Sequence, residues 1–172
     1  MRYRSFAVIA AVLFATVVLA RTQKPSTHAD IVNAKGEKIG TATLREAKGG
    51  VQIRLQVSQL PPGTHALHVH AVGKCEGPDF KTAGPHFNPE GKKHGSENPE
   101  GPHAGDLPNF EVGQDGNAKT SVLASRVTLG DGSNSLFHPD GTALVIHEKA
   151  DDYKTDPAGN AGGRIACGVV QK

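Results

Sequence analysis

The chain has 172 residues with 19 basic and 17 acidic side chains, and its formal net charge of +2 is carried by Arg2 and Arg4 in the first twenty residues. Without residues 1–20 the balance is even, so the remaining domain lacks the broad basic field of a nucleic-acid binder; it also has no Trp to stack on bases. The length suits one domain with a full core.

Residues 1–20 read as a secretory signal: Arg2 and Arg4 form a basic start, Phe6 to Ala20 an apolar run, and Ala20 a small residue before a cut. As a helix that run reaches only about 23 Å, short of a hydrocarbon core of about 30 Å, which favours a cleaved signal over a membrane anchor. Residues 21–27 form a short polar linker, and a folded domain is expected over 28–172, exported to the periplasm or beyond the cell with no stable membrane association after cleavage. Within it the apolar pattern has a period of two. Val51, Ile53, Leu55 and Val57 alternate with Gln52, Arg54, Gln56 and Ser58, which on a strand places all four apolar groups on one face. Strands are predicted over 29–33, 40–47, 51–57, 66–72, 109–112, 118–125, 143–148 and 165–170, separated by turn residues such as Asp115-Gly116-Asn117 and Asp131-Gly132-Ser133. No segment after residue 20 shows a sustained helical period. The expected fold is all-β: an eight-stranded antiparallel Greek-key sandwich or flattened barrel. It carries two long functional loops, 73–105 and 149–164.

Seven of the nine histidines fall between Leu67 and Ala150. His68 and His70, at i and i+2 on a strand, project from one face roughly 6 to 7 Å apart and can converge on one ion. His147, at the end of another apolar strand, can add a third nitrogen. His86, His94, His103 and Asp106 supply three nitrogens and an oxygen, a closed four-ligand set suited to zinc. Nitrogen-rich sites of this kind suit copper and zinc, where calcium or magnesium would require oxygens. Cys75 and Cys167 are an even pair in an exported chain, which points to a disulfide; a redox or ligand role is the alternative, and neither lies in a C-x-x-C.

The stretches H-A-L-H-V-H, G-P-H-F-N-P, K-K-H-G, P-H-A-G-D-L-P-N, V-I-H-E-K-A-D-D and G-N-A-G-G-R-I-A-C-G-V resemble the copper,zinc superoxide dismutases, in matching order over about Ile31 to Val170. The longer Cys75–His86 segment is similar to bacterial, exported members. The resemblance implies dismutation of superoxide to oxygen and hydrogen peroxide, with copper on His68, His70, His86 and His147 and zinc on His86, His94, His103 and Asp106. His86 would then be shared by both ions and would take up and release a proton in the cycle. Asp151 matches the carboxylate that links His68 to His94, and Arg164 the guide for the superoxide anion beside copper. His65 matches a structural histidine, His138 reads as a solvent-facing loop residue, and Lys154 is the main candidate for steering charge. A homodimer is implied. A non-catalytic, superoxide-dismutase-like metal-binding protein is the alternative; such relatives typically lack a copper ligand or the arginine, whereas all are present here.

Overall fold

Along Val51–Val57 the four alternating apolar side chains are all buried, as a half-buried strand requires. The computed structural model describes residues 26–172. The secretory reading of residues 1–20 and most of the linker lie outside the described residues. Nine strands are present among them: β1 (Ser26–Asn33), β2 (Lys38–Ala47), β3 (Gly50–Val57), β4 (Gly63–His65), β5 (Leu67–His70), β6 (Phe110–Val112), β7 (Ala118–Ala124), β8 (Ala143–His147) and β9 (Arg164–Val169). Seven form one antiparallel sheet in the order β5-β8-β9-β1-β2-β3-β7, and β4 pairs with β6. The last strand, β9, returns beside β1, ahead of the β1–β2–β3 meander, which is the Greek-key relation. Among the described residues no helix is long and apolar enough to cross a membrane.

The all-β expectation holds, with two differences of detail. The strand expected over 66–72 is shorter, and Gly63–His65 forms a separate strand against Phe110–Val112. Three residues after Pro61-Pro62 are too few to display a period of two. The strand β1 also begins at Ser26, two residues ahead of His28.

The main core takes one face of each long strand: Ala29 and Ile31 of β1, Ala42 and Leu44 of β2, the four β3 residues, Leu67 and Val69 of β5, and Leu144 and Ile146 of β8. Val127, Leu129 and Leu136 close it from the segment between β7 and β8. On the other face the sheet divides by chemistry. Across β2, β3 and β7 it is polar and open to water, whereas β5 and β8 are buried on both sides. There the 71–109 segment folds over the sheet, covering His68 and His70. It also forms a small second core of Phe80, Ala83, Ala143, Val145 and Cys167. The Cys75–Cys167 disulfide, spanning 92 residues, fastens this cover to β9.

Candidate metal centre

Two close backbone approaches build the site. The 86–87 and 105–106 stretches both run beside β5, through Phe87 N–H donating to Val69 O at 2.8 Å and Val69 N–H to Gly105 O at 2.9 Å. A Cβ at Gly105 would overlap the Val69 carbonyl, so only glycine permits this approach. Bridges His68–Asp106 and His70–His86 result. β8 brings in His147 from the other side, since His68 and His70 face Val145 and Ala143 across the β5–β8 ladder.

The donor atoms gather into two sets. In the first, ring nitrogens of His68, His70, His86 and His147 all lie within 4.8 Å of one another. Three of these rings are held from behind. His70 Nδ1–H donates to Gly84 O at 2.8 Å, His68 Nε2–H to Asp151 Oδ2 at 2.8 Å, and His147 Nδ1–H to Gly162 O at 3.4 Å. Their free nitrogens turn inward, with His70 Nε2 and His147 Nε2 3.4 Å apart. His68 Nδ1 and His86 Nε2 are buried with no hydrogen-bond partner. An orphaned buried polar atom costs about 1–3 kcal/mol, and two aimed into one nest of imidazoles fit a bound cation.

The second set is His86, His94, His103 and Asp106. Asp106 Oδ1 lies 3.0 Å from His86 Nδ1, 3.0 Å from His94 Nδ1 and 3.3 Å from His103 Nδ1. Its Oδ2 accepts the backbone N–H groups of Gly95 and His103. His86 thus belongs to both sets, with Nδ1 against Asp106 and Nε2 buried without a partner. The donors suit the two metals in kind: imidazoles alone in one set, three imidazoles and a carboxylate in the other.

Electrostatics follow the same division. Burial pushes His70 down to about 2, helped by the charges of His86, Arg164 and His147. Burial likewise lowers His147 to about 3 and His86 to about 4, the latter against its hydrogen bond to Asp106. These rings are neutral at physiological pH, the form that binds a cation. At His94 burial is outweighed by hydrogen bonds to Asp106 and Asp151, which raise it to about 9. Burial disfavours the Asp106 charge, yet hydrogen bonds from His103, His86 and His94 hold its pKa far below the carboxylate range. Asp151 is lowered in the same manner by His68 and His94.

Asp151 connects the sets, accepting from His68 Nε2 and, through Oδ1, lying 3.0 Å from His94 Nε2. A Cβ at Gly159 would strike this carboxylate. Asn109 clamps Asp151 by two backbone hydrogen bonds of 2.9 Å, a role residue type alone does not reveal, although Asn109 ends the quoted P-H-A-G-D-L-P-N stretch. Arg164, half-buried, donates from Nη1 to Phe80 O and from Nη2 to Gly84 O, both at 2.7 Å. Gly84 O therefore orients His70 and Arg164 together.

His65 lies apart from both sets, with its nitrogens 2.8 Å from the carbonyls of His147 and Pro61. His138, expected to face solvent, is half-buried: its ring stacks on Phe87 at 5.1 Å, where the segment before β8 folds against the 86–88 turn. Lys154, the expected steering charge, is paired with Glu97 at 2.9 Å, which cancels much of its field.

A β-sandwich whose six histidines and one buried aspartate form two adjoining sets is a two-metal protein of the copper and zinc type. A profile of the Copper/zinc superoxide dismutase (SODC) family matches residues 38–170. Superoxide dismutase (Cu-Zn) 1 of Aquifex aeolicus is 58% identical over 165 residues, which cover 95% of this chain and 96% of the relative. A superoxide dismutase (Cu-Zn) of Caulobacter vibrioides is 41% identical over 79% of this chain and 80% of its own. Among solved structures, a double mutant of a superoxide dismutase-like protein from Bacillus subtilis matches with a TM-score of 0.82 at 43% identity, covering 84% of this chain and 97% of the other. The copper/zinc enzyme of Brucella abortus matches with a TM-score of 0.70 at 30% identity, covering 86% and 100%. The chain belongs to the copper/zinc superoxide dismutase family, as an enzyme acting on superoxide with copper and zinc as its metals.

Proposed function

We propose that this chain dismutates superoxide to oxygen and hydrogen peroxide at a copper centre joined to zinc through His86. In this reading copper is held by His68, His70, His86 and His147, and zinc by His86, His94, His103 and Asp106. The observation that carries it is the division of the His86 ring: Nδ1 lies against Asp106, while Nε2 is a buried, unpartnered atom in the other set. When bound, copper supplies a one-electron acceptor and donor, and zinc a fixed charge that stays redox-silent.

The chain's own groups do the rest. Arg164, fixed by two carbonyls and adjacent to the His70 anchor, draws a small anion toward the first set and hydrogen-bonds it there. The bond that His70 Nδ1–H donates to Gly84 O fixes the His70 ring, and Asp151 fixes His68. His86 Nε2 holds a proton in one half of the cycle and yields it toward peroxide in the other.

The disulfide fits an oxidising compartment, supporting export to the periplasm or the medium. A homodimer would use the exposed Leu123, which lines a cleft of about 450 Å³ with Pro102, Leu107 and Pro108. The alternative of metal binding without turnover is disfavoured because Arg164 and all four histidines of the first set are in place.

Two measurements test the reading. Protein loaded with copper and zinc should accelerate superoxide decay; decay no faster than in buffer would end it. With cobalt(II) replacing zinc, the copper(II) EPR signal should vanish through exchange coupling across the shared imidazole. A persistent signal would remove the bridge and leave two independent sites.

A further inference from the structure

Of the three histidines in the second donor set, two have both nitrogens accounted for. His94 Nε2 faces Asp151, and His86, which belongs to both sets, has its Nε2 buried away from solvent. His103 differs: Nδ1 faces Asp106, while Nε2 points to the rim of a cleft where Asp156 Oδ1 lies 4.0 Å away. The same Oδ1 accepts the backbone N–H of His94 at 2.7 Å, and Oδ2 is 3.8 Å from Lys93 Nζ. One carboxylate from the 149–163 segment thus meets the zinc segment at His94 and, across the set, at His103.

We infer that Asp156 is a positioning residue for the second metal, the outer partner of His103; this rests on the metal assignment proposed above. A histidine that ligates through one nitrogen carries its proton on the other, and an acceptor for that proton fixes the ring and raises its donor strength. Once Nδ1 of His103 faces a cation, its Nε2–H has Asp156 as its carboxylate, and closing the gap takes about 1 Å to reach hydrogen-bond distance. Such bonds are often long before the ligand is bound. The Asp156 side chain is 40% exposed and Lys93 competes for it, so its hold is weaker than that of the fully buried Asp151. It is also more selective. Asp151 touches a histidine of each set, whereas Asp156 touches the second set alone.

The competing role is a simple cap on the His94 N–H, and Asp156→Asn separates the two. The amide oxygen still accepts from His94, but the charge facing His103 is gone. Metal-loaded Asp156→Asn is expected to release zinc to a chromogenic chelator about 10-fold faster than wild type. Its copper content and the melting temperature of its metal-free form should stay unchanged. Cobalt(II) in place of zinc should show displaced visible bands, since the donor strength of His103 alters; Asp156→Glu should restore both readouts in part. Zinc release at the wild-type rate, or an equal loss of melting temperature in the metal-free and zinc-loaded forms, would overturn the inference alone. Failure of the wild type to take up zinc or cobalt would overturn the metal assignment with it.

Discussion

At the scale of single residues, the site is a set of imidazoles whose outer nitrogens are fixed by neighbours and whose inner nitrogens are left for cations. His147 is anchored to the Gly162 carbonyl and takes part only in the first set. His147→Ala is therefore expected to lose copper and activity by more than the 10- to 100-fold that removal of an outer partner costs, while zinc remains. Loss of both metals together would contradict this assignment. The titrating groups also set how the metal-free protein responds to pH. His94, raised to about 9, adds stability that is full below its ordinary 6.5 and is lost as pH rises through 9. His70, His147 and His86, lowered to about 2, 3 and 4, act oppositely, because below 6.5 the unfolded chain binds protons that the folded chain refuses. Asp106 and Asp151, both lowered, withdraw further stability in acid. The melting temperature of chelated protein should peak near pH 6.5; a monotonic rise to pH 9 would contradict the raised His94.

At the scale of elements, β5, β8 and the 71–109 segment depend on one another. β5 has only four residues, and its outer face would expose two histidines without the cover. The disulfide holds that cover beside β9, and the carbonyls it steadies, Phe80 and Gly84, are those that grip Arg164. A bridge over a loop of this length is worth about 4 to 5 kcal/mol in the chain-entropy model. Cys75→Ser should lower the unfolding free energy by a similar amount in denaturant titration. It should also reduce activity at full metal occupancy, because Arg164 loses its fixed position. Unchanged activity in a metal-loaded Cys75→Ser protein would show that Arg164 is held by its hydrogen bonds alone.

At the scale of the molecule, the barrel core and the metal cover are distinct bodies of packing. The β1–β3 core is aliphatic and continuous, whereas the cover rests on a small second core and on the histidine sets. Removing both metals should therefore raise deuterium exchange across 71–109 and 149–163 while amides of β2 and β3 keep their protection. Uniform loss across the sheet would mean that the metals support the whole fold.

Alternation in Val51–Val57 and turn residues at regular intervals were enough to reveal an all-β chain, because a period of two is a local property of the backbone. The residues that gather in the two sets were equally legible, since their types and order along H-V-H, G-P-H-F-N-P and G-D-L-P-N carry their chemistry. What local patterns lack is the relation between segments far apart in sequence. The division of His86 between two sets arises where the 86–87 stretch lies beside β5, and the Asn109 clamp on Asp151 spans 42 residues. The neutralisation of Lys154 by Glu97 and the stacking of His138 on Phe87 are of the same kind. Each depends on strand register and on how two long loops close over one sheet, and those are settled by packing of the whole chain.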